Sequence, residues 1–568
     1  MGKAIMLGWM AAWAWLGGVQ AAEERADLAA KLEKSLDALG DFGFSGTVLV
    51  AVDGDVLLHR GYGLARRGPE VKMQPETRFP VASISKQFTA AAILTLEEDG
   101  KLRTPESIGR YLQGIPDDKA AITIGQLLTH TSGLPFECGG RPASMEALLQ
   151  CLWATPLQEA GKVQYSNAGY AVLAHLVEKV SGRSFREYVR KRLFQPSQMA
   201  KTGFIDEPDR FAQGQVAHQY TWTVEHGTEI DSQMNWNLRG SADVVTTAGD
   251  LFGWEQALSG GKILEPGAVK RLLRGDGEAG TAKGSGYGWQ TDRAGQVQKA
   301  AGTFGLGFNA VFRRYPRKGA VLAVLSNQNY GLLMPTPLVA ETAENILMGH
   351  PAIELPQTAV VSEDLQRQCA GSYELPGQGQ LEVEAHSGSL VISAQGQPSV
   401  DLLTARTKPE ARRLRGYTER AQKLAQALEK GRFGEIAQIL EAADPSRIEN
   451  LYRGWIEGLE REQGKLESAE VAGTIPQGES ARTYLLLNFQ EGRKVRRLRW
   501  LGDDLVSILA GGLPLVPTRF RLLSKDKLVG FHLAYARTVE VRIVRDGQGV
   551  ISGLEFEGPE GKVVARKR

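Results

Sequence analysis

From Phe44 to Leu58 the chain reads as a hairpin: the apolar run Thr47–Val52, a turn with Gly54 between Asp53 and Asp55, and then Val56-Leu57-Leu58. A strand-like Arg78–Ala82 follows, and the pattern then changes to a helical period over Gln87–Glu98, stopped at Asp99-Gly100, where glycine supplies the left-handed cap. A second helical period covers Asn167–Val180 and ends at Ser181-Gly182. Val321–Leu325 is apolar at every position, as a strand buried on both faces requires. Near Pro351–Pro356 the pattern shifts to short alternating strands such as Leu381–Glu384 and Ser389–Ile392, the signature of a small β-barrel or sandwich. Two helices interrupt it. Tyr417–Leu428 gathers Ala421, Leu424, Ala425 and Leu428 on one face, and Ile448–Leu459 carries Leu451 and Trp455. Strands return at Thr483–Phe489 and run on to Phe556.

A length of 568 residues exceeds one ordinary core, so two or three domains are expected. The 66 glycines have no period and fall in turn-like positions, which excludes collagen and suits many strands and tight loops. Lys+Arg of 67 against Asp+Glu of 65 leaves a net charge of +2, too little to draw in nucleic acid or anionic lipid; a small molecule or peptide is the expected partner. Lys3, the apolar Ala4–Leu16 and the small-residue sequence Val19-Gln20-Ala21 form a cleavable export leader, residues 1–21, with an uncleaved anchor as the alternative. The mature protein is therefore expected in the periplasm or secreted, with no integral membrane segment. The three cysteines leave two readings open: Cys138 paired with Cys151 in an oxidising compartment, or three buried thiols with Cys369. Neither a metal site nor a cofactor is expected from their surroundings.

The chemistry starts with Ser83-Ile84-Ser85-Lys86, which sets a hydroxyl and an ammonium three residues apart on one helical face. Serine attacks only when something takes its proton, and a desolvated lysine can do so. The spacing alone is common, since Ser259/Lys262 and Ser524/Lys527 share it and an exposed serine beside a solvated lysine is its ordinary meaning. Only Ser83 stands between a strand and a strong helix, where free N–H groups favour an oxyanion. Tyr165-Ser166-Asn167 is the one Tyr-x-Asn among 14 tyrosines and also precedes a helix. A phenol near a lysine ionises more easily and can shuttle a proton, while the Asn amide can pair with a substrate amide; the plain alternative is a helix cap.

Three stretches, Phe79–Leu102 (FPVASISKQFTAAAILTLEEDGKL), Ile122–Pro135 (ITIGQLLTHTSGLP) and Val163–Gly182 (VQYSNAGYAVLAHLVEKVSG), resemble the serine β-lactamase-related, penicillin-binding-protein-like family. Thr246–Leu251 and Leu325-Ser326-Asn327 are similar too. The family includes class C β-lactamases, D-Ala-D-Ala carboxypeptidases, D-aminopeptidases and esterases. The resemblance implies an α/β sandwich beside a helical lobe at 25–350, with Ser83 as nucleophile, Lys86 as its activator, Tyr165 as general acid and base, and Asn167 as a substrate-amide ligand. His130, in the family-like Thr129–Gly133, is read as a loop hydrogen-bonding residue, and Lys201-Thr202-Gly203 comes too early to be the family's third motif. That motif falls instead at Ala301–Phe308, with Gly302 and Thr303 at the substrate, but the Lys or His expected at Ala300 or Ala301 is missing and Lys299 is displaced from it. Behind this domain, 360–408 and 510–568 are expected to form a barrel-like β domain interrupted by an α+β module at 411–505. The functional reading is an exported serine hydrolase acting on an ester, amide or β-lactam-like substrate through an acyl-enzyme; the alternative is a weakly or non-catalytic penicillin-binding-like sensor.

Overall fold

The computed structural model describes the chain except residues 1, 160, 212–215, 222–223, 231–232, 275–285, 293–295, 330–333, 378, 387, 443, 478, 503, 511–516 and 534–535, and the side chains of 2–21, 224 and 509–510. The chain divides into two compact units: Met1–Gly40 with Phe44–Asn329 and Pro335–Ile353, and Asp41–Gly43 with Tyr330–Met334 and Glu354–Arg568.

The first unit is built on a six-stranded antiparallel sheet in the order Gln290–Thr291, Gln298–Phe304, Phe308–Tyr315, Ala320–Ser326, Gly46–Val52, Asp55–Tyr62. Ala320–Ser326 is buried at every residue, as its unbroken apolar run requires of a central strand covered on both faces. Helices Ala248–Ser259 and Thr336–Met348 pack against it. The helical part centres on Lys86–Glu98, which packs against Asn167–Ser181. Lys86–Glu98 is buried from Lys86 to Leu96 and so lies in the middle of its neighbours, not on the surface. A helix also runs Gly2–Asp41, with Leu32, Leu36 and Leu39 buried. Among the described residues no helix is long and apolar enough to cross a membrane.

The second unit contains a closed eight-stranded barrel in the order Gly371–Leu375, Gly379–His386, Ser389–Gln395, Thr518–Ser524, Lys527–His532, Arg537–Arg545, Ile551–Gly558, Gly561–Lys567. Between its third and fourth strands the chain forms helices Gln397–Thr404, Lys408–Glu429, Phe433–Ile439 and Pro445–Gln463, and the four-stranded sheet Leu466–Gln477, Ser480–Phe489, Gly492–Leu501, Asp504–Ala510. The first long helix starts nine residues before the expected Tyr417, because Thr407 accepts from the Glu410 N–H and Pro409 sits in the first turn. The sheet also begins earlier than expected, at Leu466 and not Thr483. The two are joined by a common core in which Tyr417 stacks on Trp500 at 5.3 Å between ring centres.

Candidate active site

Ser83 lies in a tight turn, Ala82–Ser85, that links the short strand Phe79–Pro80 to the helix opening at Lys86. The strand pairs with Val244–Thr246, and the Val81 N–H donates to Val244 O at 3.0 Å, so the turn is fixed at its entrance. Ala82 takes φ 48°, a left-handed conformation that a residue with a Cβ adopts at a cost of about 1–3 kcal/mol. The strain falls on the residue next to the nucleophile.

Lys86 is 1% exposed, and its Nζ donates to Asn167 Oδ1 at 2.7 Å, to Ser241 O at 2.9 Å and to Ser83 Oγ at 3.4 Å. All three acceptors are neutral. Burial therefore pushes the ammonium's pKa down, against the upward pull of Glu137 and Asp243, to about 7. The Tyr165 hydroxyl donates to Ser83 Oγ at 2.7 Å, and Lys86 Nζ lies 4.7 Å from the centre of the Tyr165 ring. Although the ring is 46% exposed, loss of water around the phenol raises its pKa, with the Ser83 hydrogen bond pulling the other way. Desolvation of the phenol thus outweighs the hydrogen bond to Ser83. At rest Tyr165 is a proton donor.

Asn167 opens the helix Asn167–Ser181, but the cap is Ser166, whose Oγ accepts from the Gly169 N–H. Both ends of the Asn167 amide are used inside the protein: Oδ1 takes the Lys86 proton donor, and Nδ2 donates to Glu137 Oε1 at 2.6 Å. The amide thus links Lys86 to Glu137. His130 bonds outside its own loop: Nδ1 accepts from the Ser166 N–H at 3.1 Å, the imidazole lies 4.5 Å from the Tyr165 ring at a tilt of 31°, and the residue lines the cavity at Ser83. Burial, with Lys86 nearby, pushes its pKa down to about 3, so the ring is neutral and braces the phenol.

The strand Gln298–Phe304 passes directly beside the nucleophile. A Cβ at Gly302 would lie 2.3 Å from Val81 O and 2.9 Å from Ser83 N, so no other residue allows this approach. Burial alternates along the strand, placing Ala300 on Gly302's face and Lys299, Ala301 and Thr303 on the other. Ala300, not Ala301, therefore occupies the position where a basic side chain would face the nucleophile. A cavity of about 190 Å³ opens between Ser83, Lys86, His130, Tyr165, Lys299 and Ala300. Lys201-Thr202-Gly203 serves elsewhere: Thr202 Oγ1 donates to Asp250 Oδ2 at 2.6 Å.

Glu137, Ser241, Asp243 and Trp289 were not singled out by the sequence pattern. Glu137 had one available signal, its position next to Cys138, which is bonded to Cys151 in the structure. Asp243 had only its place in the polar run Arg239–Asp243 before the apolar Val244-Val245. Among the described residues no group of three or more His, Cys, Asp or Glu is arranged to hold a metal ion.

The Beta-lactamase family model matches residues 29–343. Penicillin-binding protein 4* of Bacillus subtilis (strain 168) is 28% identical over 407 residues, 65% of this chain and 88% of that protein. A D-aminopeptidase of Brucella anthropi is 28% identical over 242 residues, 40% of this chain, and the chain spans 45% of that relative's length. Among solved structures, the D-amino acid amidase from Ochrobactrum anthropi SV3 complexed with D-phenylalanine aligns with a TM-score of 0.49 and 21% identity, covering 57% of this chain and 99% of that one.

Proposed function

We propose, from the premise that this chain belongs to the Beta-lactamase family, that it is an exported serine hydrolase working through an acyl-enzyme on Ser83. The observation that carries the reading is a single oxygen, Ser83 Oγ, set between a phenol at 2.7 Å and an amine at 3.4 Å whose pKa is brought down to about 7. Neutral Lys86 takes the Ser83 proton as Oγ forms a bond to the substrate carbonyl carbon. The resulting oxyanion is held by the backbone N–H groups of Ser83 and Thr303. Tyr165 gives its proton to the departing amine or alkoxide as that bond breaks, and the proton on Lys86 restores the phenol. Water then repeats the sequence in reverse order and frees the acid.

Asn167 and Glu137 hold Lys86 in place during both halves, and Gly302 gives the strand its closeness to the nucleophile. With Ala300 in place of a basic side chain, a substrate carboxylate loses the cation that would face Ser83 and is left with Lys299, which lines the cavity from the strand's other face, and this favours uncharged esters and blocked amides over β-lactams and D-Ala-D-Ala peptides. The D-aminopeptidase relative supports an amide of D configuration. The leader-like N-terminus and the Cys138–Cys151 bond support a site outside the cytoplasm. Ala300 also favours a second reading, a penicillin-binding-like sensor that is acylated and does not turn over.

The test is a panel of an aryl ester, a D-amino-acid anilide and a cephalosporin, with intact mass recorded after each, alongside fluorophosphonate labelling. Hydrolysis with a transient adduct mapped to Ser83 supports the enzyme, and a lasting adduct there supports the sensor. Labelling that maps to another residue rejects both.

A further inference from the structure

Lys86 is held by neutral acceptors, yet a carboxylate serves the segment that carries each of the two closest: one bonds Asn167 itself, the other the peptide next to Ser241. Glu137 stands behind Asn167. In the Ser241 loop lies Asp243, which is fully buried: its Oδ1 accepts from the Gly240 N–H at 3.1 Å and its Oδ2 from Arg239 Nη1 at 3.0 Å. Arg239 in turn reaches Asp206, so one guanidinium holds two carboxylates in a water-excluded place. The short loop between Arg239 and Val244 is stitched to the first turns of the nucleophile helix at three points. Thr89 Oγ1 donates to Gly240 O at 2.6 Å, Lys86 Nζ donates to Ser241 O at 2.9 Å, and the Val244 N–H donates to Ser85 Oγ at 3.0 Å. Gly240 itself, at φ 69°, lies so close to Ala174 and Thr89 that a Cβ there would sit 2.7 Å from the Ala174 methyl.

We propose that Asp243, clamped by Arg239, is a positioning residue that fixes the Ser241 carbonyl against Lys86 and sets the balance between the charged and neutral forms of that amine. A carboxylate in direct contact would keep the ammonium charged and useless as a base. One neutral group further away, the same charge orients the acceptor and moderates the effect of burial. The inference rests on the reading of Lys86 as the base for Ser83. The groups facing Lys86 are Ser83, Tyr165, Tyr170, His130, Glu137 and Asp243; those facing Asp243 are Arg239 and, beyond it, Asp206. Asp243 has Arg239 as its counter-ion; burial still raises its carboxyl to about 6, and Arg239 holds it from rising further.

The experiment follows Lys86 directly, by carbon-13 NMR of the full chain labelled at lysine Cε, with the resonance assigned by its loss in Lys86→Met. Asp243→Asn is expected to lower the Lys86 titration midpoint by about half a pH unit or more, the direction that removal of a nearby negative charge dictates. Asp206→Asn, which removes a carboxylate from the same guanidinium but not from the loop, is expected to lower the melting temperature and leave the midpoint in place. Should Asp243→Asn not fold, Arg239→Met provides the second route, because a buried Asp243 without its counter-ion takes up a proton and the same downward shift follows. An unmoved midpoint in the folded variant, or equal shifts in Asp243→Asn and Asp206→Asn, overturns the proposal. A wild-type Lys86 that titrates in the ordinary lysine range instead rejects its role as base, and the two failures are distinguishable.

Discussion

Ser83 and Lys86 in the first unit have a counterpart of identical spacing in the second, Ser524 and Lys527, and the two pairs differ in everything but spacing. Ser524 and Lys527 face each other across the tip of a barrel hairpin, and the Lys527 ammonium pairs with Glu540 at 2.5 Å while both side chains remain in water. Lys86 has no carboxylate in contact and almost no water, and it opens a helix whose first turn brings its Nζ to the serine. A third copy, Ser259 and Lys262, is split by the end of a helix, and its serine is taken up by Glu255 and Arg314. Sequence spacing brings two groups within reach, but the reactivity comes from what surrounds them, above all from how the amine's charge is treated. The same contrast holds for buried hydroxyls. In the second unit Thr418, Thr474 and Thr483 hydrogen-bond in a ladder that ends on the Trp500 N–H on one side and, through the Gln397 amide, on Asp401 on the other, so its hydroxyls are taken up by one another and by amide and indole partners.

The largest effect that would break this comparison comes from the two serines. Ser83→Ala is expected to remove turnover and labelling to background, a loss of about a thousandfold or more, whereas Ser524→Ala leaves both unchanged in a rate assay and a labelling map. Next come the proton carriers. Lys86→Ala and Tyr165→Phe should each cost on the order of 100-fold in kcat/KM, against no change for Lys527→Ala. The pH profile sharpens the point: the base form of Lys86 is lost as pH falls, so kcat/KM should drop below about pH 7 and hold level above it, because burial raises the phenol away from neutrality. A flat profile through neutrality would count against Lys86. A smaller gain is expected from Ala300→Lys, about tenfold or more in kcat/KM for substrates bearing a carboxylate, with little change for neutral esters. The smallest catalytic effect belongs to Thr483→Val, which should cost about 1–3 kcal/mol in urea unfolding by leaving the Trp500 N–H without its partner, and should leave kcat/KM as it was.

What could be read along the chain was local. Ser83, Lys86 and Tyr165 each lie at the entrance to a strongly periodic helix, and the end of that period is visible at Asp99-Gly100 and Ser181-Gly182. Glu137, Ser241 and Asp243 reach the site from loops that have no period, and Ser241 meets Lys86 across 155 residues of sequence. No spacing rule foretells such a contact. Alternation in Ser389–Gln395 likewise tells which side chains face inward, but not that the strand's partner, Thr518–Ser524, lies beyond a whole inserted module. Barrel closure is a matter of partners, and pattern alone names faces. Asn167 shows how little a position at a helix entrance tells of partners: the same place that marks it for the substrate amide also brings it to Lys86 and Glu137, two residues that no spacing from Asn167 names.

Gly302 also decides how the lineage of this site can drift. A one-residue slip of Gln298–Phe304 past its neighbours would bring Lys299 to the place where Ala300 stands, restoring a cation without any mutation. That slip would carry Ala301 into the position of Gly302, where a Cβ meets Val81 O at 2.3 Å and the Ala82 Cβ at 2.8 Å. The strand is thus locked in frame by the single residue that lacks a side chain, and a misaligned strand is rejected by collision before pairing energy is considered. A positive charge is built onto Gly302's side of the strand by substitution at Ala300 and not by sliding Lys299 into its place, and Lys299 reaches the cavity only from the opposite face.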